Sequence, residues 1–166
     1  MGKAYLSQHQ SIQAREYLEK AGEITKKLPD YSLEIEVINQ LGKSYQQQRQ
    51  FKSANSYHQQ ALNIAKKQKN RRAVTNLLHY LGNVSLDMRQ FHQARDYYQQ
   101  ALEIYIEFGD RYLSASTYGQ LGLLAQPEES YAEARTNLQT ALEIYVEYQD
   151  EYMVTVTREN LEGLPE

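Results

Sequence analysis

The chain repeats itself every forty residues. FHQARDYYQQALEIYIEFGD at 91–110 recurs in altered form at 51–70 (FKSANSYHQQALNIAKKQKN), at 131–150 (YAEARTNLQTALEIYVEYQD) and at 11–30 (SIQAREYLEKAGEITKKLPD). A period held along a whole chain limits the fold to stacked copies of one supersecondary unit. Each copy buries its apolar face against its neighbours.

The fixed marks of the repeat are small or apolar. Leucine precedes glycine at Leu41–Gly42, Leu81–Gly82 and Leu121–Gly122, with Met1–Gly2 in the same register. An aromatic follows at Phe51, Phe91 and Tyr131, then alanine at Ala14, Ala54, Ala94 and Ala134. A second alanine comes at Ala21, Ala61, Ala101 and Ala141, then isoleucine at Ile24, Ile64, Ile104 and Ile144. Each unit closes on Asp30, Asn70, Asp110 or Asp150.

These spacings are helical. Ala54, Tyr57, Ala61 and Ile64 fall three and four apart, as do Val37, Leu41 and Tyr45, so each unit is predicted to hold two amphipathic helices, A and B. The alanines let two backbones approach closely. A glycine inside helix A costs about 1 kcal/mol against alanine. It is expected where helix B lies so close that a β-carbon would clash. Asp30, Asn70, Asp110 and Asp150 are expected to cap the next A helix.

With only three prolines and eight glycines, long helices have room to form. The chain has no cysteine, so disulfides and thiolate chemistry are excluded. It has no apolar run of the ~18 residues that a membrane span requires, and no signal-like start. A cytoplasmic location is the expectation.

The marks together resemble the tetratricopeptide repeat: a large residue (Ile38, Leu78, Tyr118), Leu–Gly, a tyrosine (Tyr5, Tyr45), then alanine, an aromatic and alanine. Ser85 and Ala125 depart at the tyrosine, and of Leu18, His58, Tyr98 and Leu138 only Tyr98 is the expected aromatic. The usual period is about 34 residues; forty implies roughly one extra helical turn. This longer variety is similar to the arrays of kinesin light chains and of bacterial STAND-type multidomain proteins.

The resemblance implies an all-α, right-handed solenoid of antiparallel helix pairs, one domain over residues 1–166. Its units are about 1–30 (incomplete), 31–70, 71–110 and 111–150, with a capping helix at 151–163. Arg158 and Glu162 replace an apolar residue and the glycine there, which gives the polar outer face of a cap. The missing first A helix suggests a fragment of a longer array. Pro127 should shorten the A helix of the fourth unit.

In this family the A helices line a concave groove that holds ligands. Counted from the Leu–Gly mark, the groove positions are Glu36, Asn39, Gln40, Lys43 and Gln46, then Asn76, His79, Tyr80 and Asn83, then Ser116, Gly119, Gln120 and Leu123, with Lys3 from the first unit and Asn160 from the cap. Amides donate and accept, which suits an extended peptide backbone. The resemblance thus implies non-catalytic recognition of a protein or peptide, as the sensing or scaffolding arm of a larger bacterial protein. The blander account is an ordinary solvated helix face. Lys43 and Asn83 alone do not reproduce the family's lysine, arginine and asparagine clamp for a C-terminal carboxylate.

Other chemistries are weaker. The run KKQKNRR from Lys66 to Arg72 is an anion-binding candidate, but Lys66 and Lys67 at the end of a B helix complement the helix dipole. No nucleic-acid partner is expected. Fifteen tyrosines invite base stacking, yet pairs such as Tyr57 and Tyr97, or Tyr105 and Tyr145, recur in register and are expected to pack. His9, His58, His79 and His92 show no metal-ligand spacing, and no nucleophile motif or phosphate loop is present. No cofactor and no catalysis are expected. Residues 1–80 carry 13 Lys+Arg against 6 Asp+Glu, and residues 81–166 carry 5 against 15. Either the charged ends meet in a salt-sensitive head-to-tail oligomer, or surface charge has drifted among repeats.

Overall fold

The computed structural model of the protein describes residues 19–21, 23–25 and 31–165. Expectations resting on Met1, Gly2, Lys3, Tyr5, His9, Ala14, Leu18 and Asp30 lie outside the described residues. Residues 19–21 and 23–25 are helical. They are followed by α1 (Tyr31–Gln47), α2 (Phe51–Lys67), α3 (Arg71–Asp87), α4 (Phe91–Phe108), α5 (Arg111–Ala125), α6 (Tyr131–Glu147) and α7 (Glu151–Glu162). No strand occurs among the described residues, and none of their helices is long and apolar enough to cross a membrane.

The chain divides into two compact halves, Met1–Met88 and Arg89–Glu166. In the first, α2 packs against both α1 and α3; in the second, α4 to α7 each pack on the next. Turns this short between contacting helices make the neighbours antiparallel. The repeat marks fill the crossings: Ala54, Ala61, Ala94, Ala101, Ala134 and Ala141 are all fully buried. His58, Tyr98 and Leu138, at one repeat position, are buried too.

Two glycines of the Leu–Gly marks, Gly42 and Gly122, have the expected reason. A β-carbon on Gly42 would lie 2.5 Å from His58 Cε1; one on Gly122 would lie 2.7 Å from Leu138 Cγ. The buried face of the B helices is turned by one residue from the expected one. In α2 it runs Ala54, His58, Ala61, Leu62, Ala65, while Tyr57 and Ile64 sit at its margin, half-buried. Tyr57 instead stacks on Tyr45 with centroids 5.1 Å apart. Ile24, expected as an apolar mark, is 61% exposed.

The helices end in a way the repeat marks do not announce. Arg49, Lys69, Arg89, Glu129 and Gln149 have positive φ of 54–59°, and Gly109 has 70°. These six stand twenty residues apart, each two residues before the next helix begins. The following amide reaches back five residues, as in Asn70 N–H to Ala65 O (3.0 Å), while Lys69 N–H donates to Lys66 O (3.1 Å). This Schellman closure usually employs glycine, and here one turn in six has it. Nothing lies within 4 Å of a β-carbon built on Gly109. Gly109→Ala is therefore expected to cost about 1 kcal/mol through backbone strain alone, read as a lower urea midpoint. An unchanged midpoint would contradict it.

Of the expected caps, Asn70 accepts from Ala73 N–H (3.1 Å) and Asp150 from Met153 N–H (3.0 Å). Asp110 occupies the same position but its side chain makes no capping bond. Helix α5 stops at Ala125 and Pro127 lies in the turn that follows, as proline requires. On α7, Arg158 and Glu162 are exposed.

Candidate functional site

Within the first half, the A-helix face is carried by α1 and α3. Asn39, Gln40 and Lys43 follow each other along α1; Asn76, His79, Tyr80 and Asn83 do so along α3. Gln40 and Asn76 are exposed, and the other five are half-buried. The two helices are joined on this face by side chains. Lys43 Nζ lies 4.8 Å from the centre of the Tyr80 ring, a cation over an aromatic face. Gln46 Nε2 donates to Asp87 Oδ2 at 2.7 Å. His79 meets Tyr80 edge-on, with centroids 6.3 Å apart.

One member of this cluster was not among the expected groove residues. His58 of α2 is fully buried and stacks on Tyr80, centroids 5.4 Å apart at 15°. Neither ring nitrogen has a hydrogen-bond partner among the described residues. The signal in the sequence was the register: the same position holds Tyr98 and Leu138, so a histidine there is a polar intrusion into the core. Burial, and then the nearby Lys43 charge, hold His58 down to about 4. Burial holds His79 down to about 4 as well. Both imidazoles are therefore neutral near pH 7, and Lys43 is the cation of the cluster.

Asn39 stands one turn before Lys43 on α1. Its Oδ1 is buried and accepts no hydrogen bond from the described residues. A buried acceptor left unpaired costs on the order of 1–3 kcal/mol, a local cost carried by this part of α1. Lys43, His79 and Tyr80 are thus brought together by the fold, with Asn39 on the same face of α1. Gln120 belongs to α5 of the second half, where it is half-buried.

The face offers amides, one cation and aromatic rings. Among the described residues no group of three or more histidines and acids could hold a metal. Two surface depressions lie elsewhere. One of about 650 Å³ runs along the start of α4 from Arg89 to Arg95, and one of about 700 Å³ lies between α6 and Pro165. In the first, Arg95 is ion-paired to both Glu128 and Glu133, which pins α4 to the turn after α5 and to the first turn of α6.

Comparison with known proteins gives the same architecture. The profile of the tetratricopeptide repeat family matches residues 1–67 and 73–154. No curated protein sequence matches the chain. Among solved structures, BtubC (BKLC) from P. vanneervenii superposes with a TM-score of 0.85 at 21% identity, over 94% of this chain and 65% of its own. A STAND protein with a tetratricopeptide repeat sensor from Pyrococcus horikoshii gives 0.84 at 20% identity, over 96% and 25%. The Rap conjugation gene regulator of plasmid pLS20, in complex with the Phr* peptide, gives 0.71 at 19%, over 94% and 45%. The chain thus spans less than two thirds of the length of each, and at these identities the likeness concerns the fold. With nearly all of its length matched by the family profile, the chain belongs to the tetratricopeptide repeat family.

Proposed function

We propose that the protein is a non-catalytic recognition module that binds an extended peptide segment of a partner protein on its A-helix face. Asn39, Gln40, Lys43, Asn76, His79, Tyr80 and Asn83 form the binding surface of the first half; Gln120 holds the corresponding position on α5 of the second half. The observation that carries this reading is a lysine held over a tyrosine on a face otherwise lined with amides. The amides suit a peptide backbone, and a carboxylate of the peptide suits the lysine. The reading is supported by two related folds, one described with a bound peptide and one in which the repeats serve as a sensor.

The test is selection from a displayed library of random peptides, followed by affinity measurements. Selected peptides should carry an acidic side chain. Lys43→Ala should weaken them about tenfold, or roughly 1.4 kcal/mol. The combined Asn39→Ala, Lys43→Ala, His79→Ala and Asn83→Ala variant should not bind, with helicity retained. If the selected peptides bind that variant as tightly as the parent, the A-helix face is not the site.

A further inference from the structure

The turns that join each B helix to the next A helix occupy the same seven positions in three repeats. They read KKQKNRR at 66–72, IEFGDRY at 106–112 and VEYQDEY at 146–152. The first belongs to the first half of the chain; the other two belong to the second half.

The two turns of the second half form a single surface. Tyr112 hydroxyl donates to Asp150 Oδ2 at 2.6 Å, and Arg111 Nη2 meets Glu147 Oε2 at 2.7 Å. The Tyr112 and Tyr148 rings lie 5.5 Å apart, tilted by 58°. On this joined surface Ile106, Phe108, Tyr112, Val146, Tyr148 and Tyr152 are all exposed, from 36% at Tyr112 to 76% at Tyr152. A clustered set of large apolar side chains facing water, in register on adjacent turns, marks an interaction surface. Glu107, Asp110, Glu147, Asp150 and Glu151 surround them against the single cation Arg111. The surface is aromatic and anionic, and its chemistry suits a cationic segment: aromatic faces attract ammonium and guanidinium groups, and carboxylates pair with arginine.

The chain carries such a segment. Lys66, Lys67, Lys69, Arg71 and Arg72 are all exposed on the 66–72 turn. We propose that this basic turn of one copy docks on the aromatic, acidic turns 106–112 and 146–152 of a second copy. The two surfaces differ, so the contact is heterologous and each added copy leaves one turn and one patch free. This goes beyond peptide recognition by the A-helix face, and uses none of those residues.

The test is sedimentation of the full chain across protein concentration. In about 0.01 M salt, where charges are screened over ~30 Å, the average mass should rise above 19.4 kDa and keep rising with concentration. In about 1 M salt, where the screening length is ~3 Å, it should return to 19.4 kDa. A Tyr148→Ser, Tyr152→Ser variant keeps the turn and loses the patch. A Lys67→Glu, Arg72→Glu variant keeps the patch and loses the turn. Each alone should stay at 19.4 kDa, and an equimolar mixture should stop at twice that mass, because each partner supplies what the other lacks. Three outcomes overturn the proposal. One is a parent chain that stays at 19.4 kDa in low salt. The second is association lost in the tyrosine variant alone, which would mean patch against patch. The third is a mixture that fails to pair.

Discussion

Acidification from about pH 7.5 to about pH 5 is expected to lower the unfolding free energy by about 2 kcal/mol for each of His58 and His79, about 4 in all. In the folded chain both imidazoles titrate at about 4; their ordinary value is 6.5. Burial is the main cause in each, and Lys43 adds to it at His58. Between those values the unfolded chain binds protons that the folded chain refuses. The stability due to neutral histidine is therefore fully present above 6.5. It falls as pH drops through that value and levels off below 4. Carboxylates remain largely ionised down to about pH 5, so the two histidines dominate the window. Urea denaturation followed by circular dichroism at both pH values reads the effect. His58→Leu, which places there the residue found at Leu138, should remove about half of the pH dependence. It should also raise stability at neutral pH, because two buried unpaired nitrogens go with it. A denaturation midpoint that does not move with pH would show that the buried imidazoles are solvated in the fold.

The same histidine shows what was legible in the sequence. The period and the two helices per repeat followed from the marks. Close crossings admit only small residues, so alanine and glycine recur wherever backbones touch. Ala54, Ala61, Ala134 and Ala141 were placed correctly for that reason. The pairing of Gly42 with His58 and of Gly122 with Leu138 follows from the same constraint. Where the constraint is on backbone rather than side chain, the sequence was mute. Arg49, Lys69, Arg89, Glu129 and Gln149 adopt a left-handed conformation that their side chains disfavour. The surrounding helices impose it, and only Gly109 advertises it. Asp110 looks like Asn70 and Asp150 in register, yet it makes no capping bond.

The candidate site was legible as a register and not as an arrangement. Counting from Leu–Gly put Asn39 and Lys43 on one helix and His79 and Tyr80 on another. Only the packing showed that Lys43 lies over Tyr80 and that His58 lies beneath the same ring. The tyrosines divide in the same way. Tyr105 and Tyr145, which recur, are buried as expected, while Tyr148 and Tyr152 are exposed. Recurrence alone does not identify a packing role: Tyr57 and Tyr97 recur and are half-buried, and Tyr112 and Tyr152 stand forty apart and are both exposed. Only the packing of the helices tells an inward repeat position from an outward one.

Gly42→Ala is expected to destabilise the protein by about 2 kcal/mol, the cost typical of forcing an extra methyl into a filled core. The added carbon would stand 2.5, 2.7 and 2.8 Å from Cε1, Nδ1 and Nε2 of His58. These are atoms of one rigid ring, which is fully buried and stacked on Tyr80, so it cannot swing aside as the end of a flexible chain would. In the opposite direction, alanine is favoured over glycine inside a helix by about 1 kcal/mol. Two further substitutions separate the terms. Gly119 is also inside a helix, α5, and nothing lies within 4 Å of its β-carbon position, so Gly119→Ala should gain about 0.5–1 kcal/mol from helix propensity alone. In a His58→Ala background the obstacle is gone, and Gly42→Ala should become neutral or stabilising. The double-mutant cycle then yields a coupling of about 2 kcal/mol between positions 42 and 58, measured by urea denaturation. An equal cost in both backgrounds would mean that Gly42 is required by something other than the imidazole that faces it.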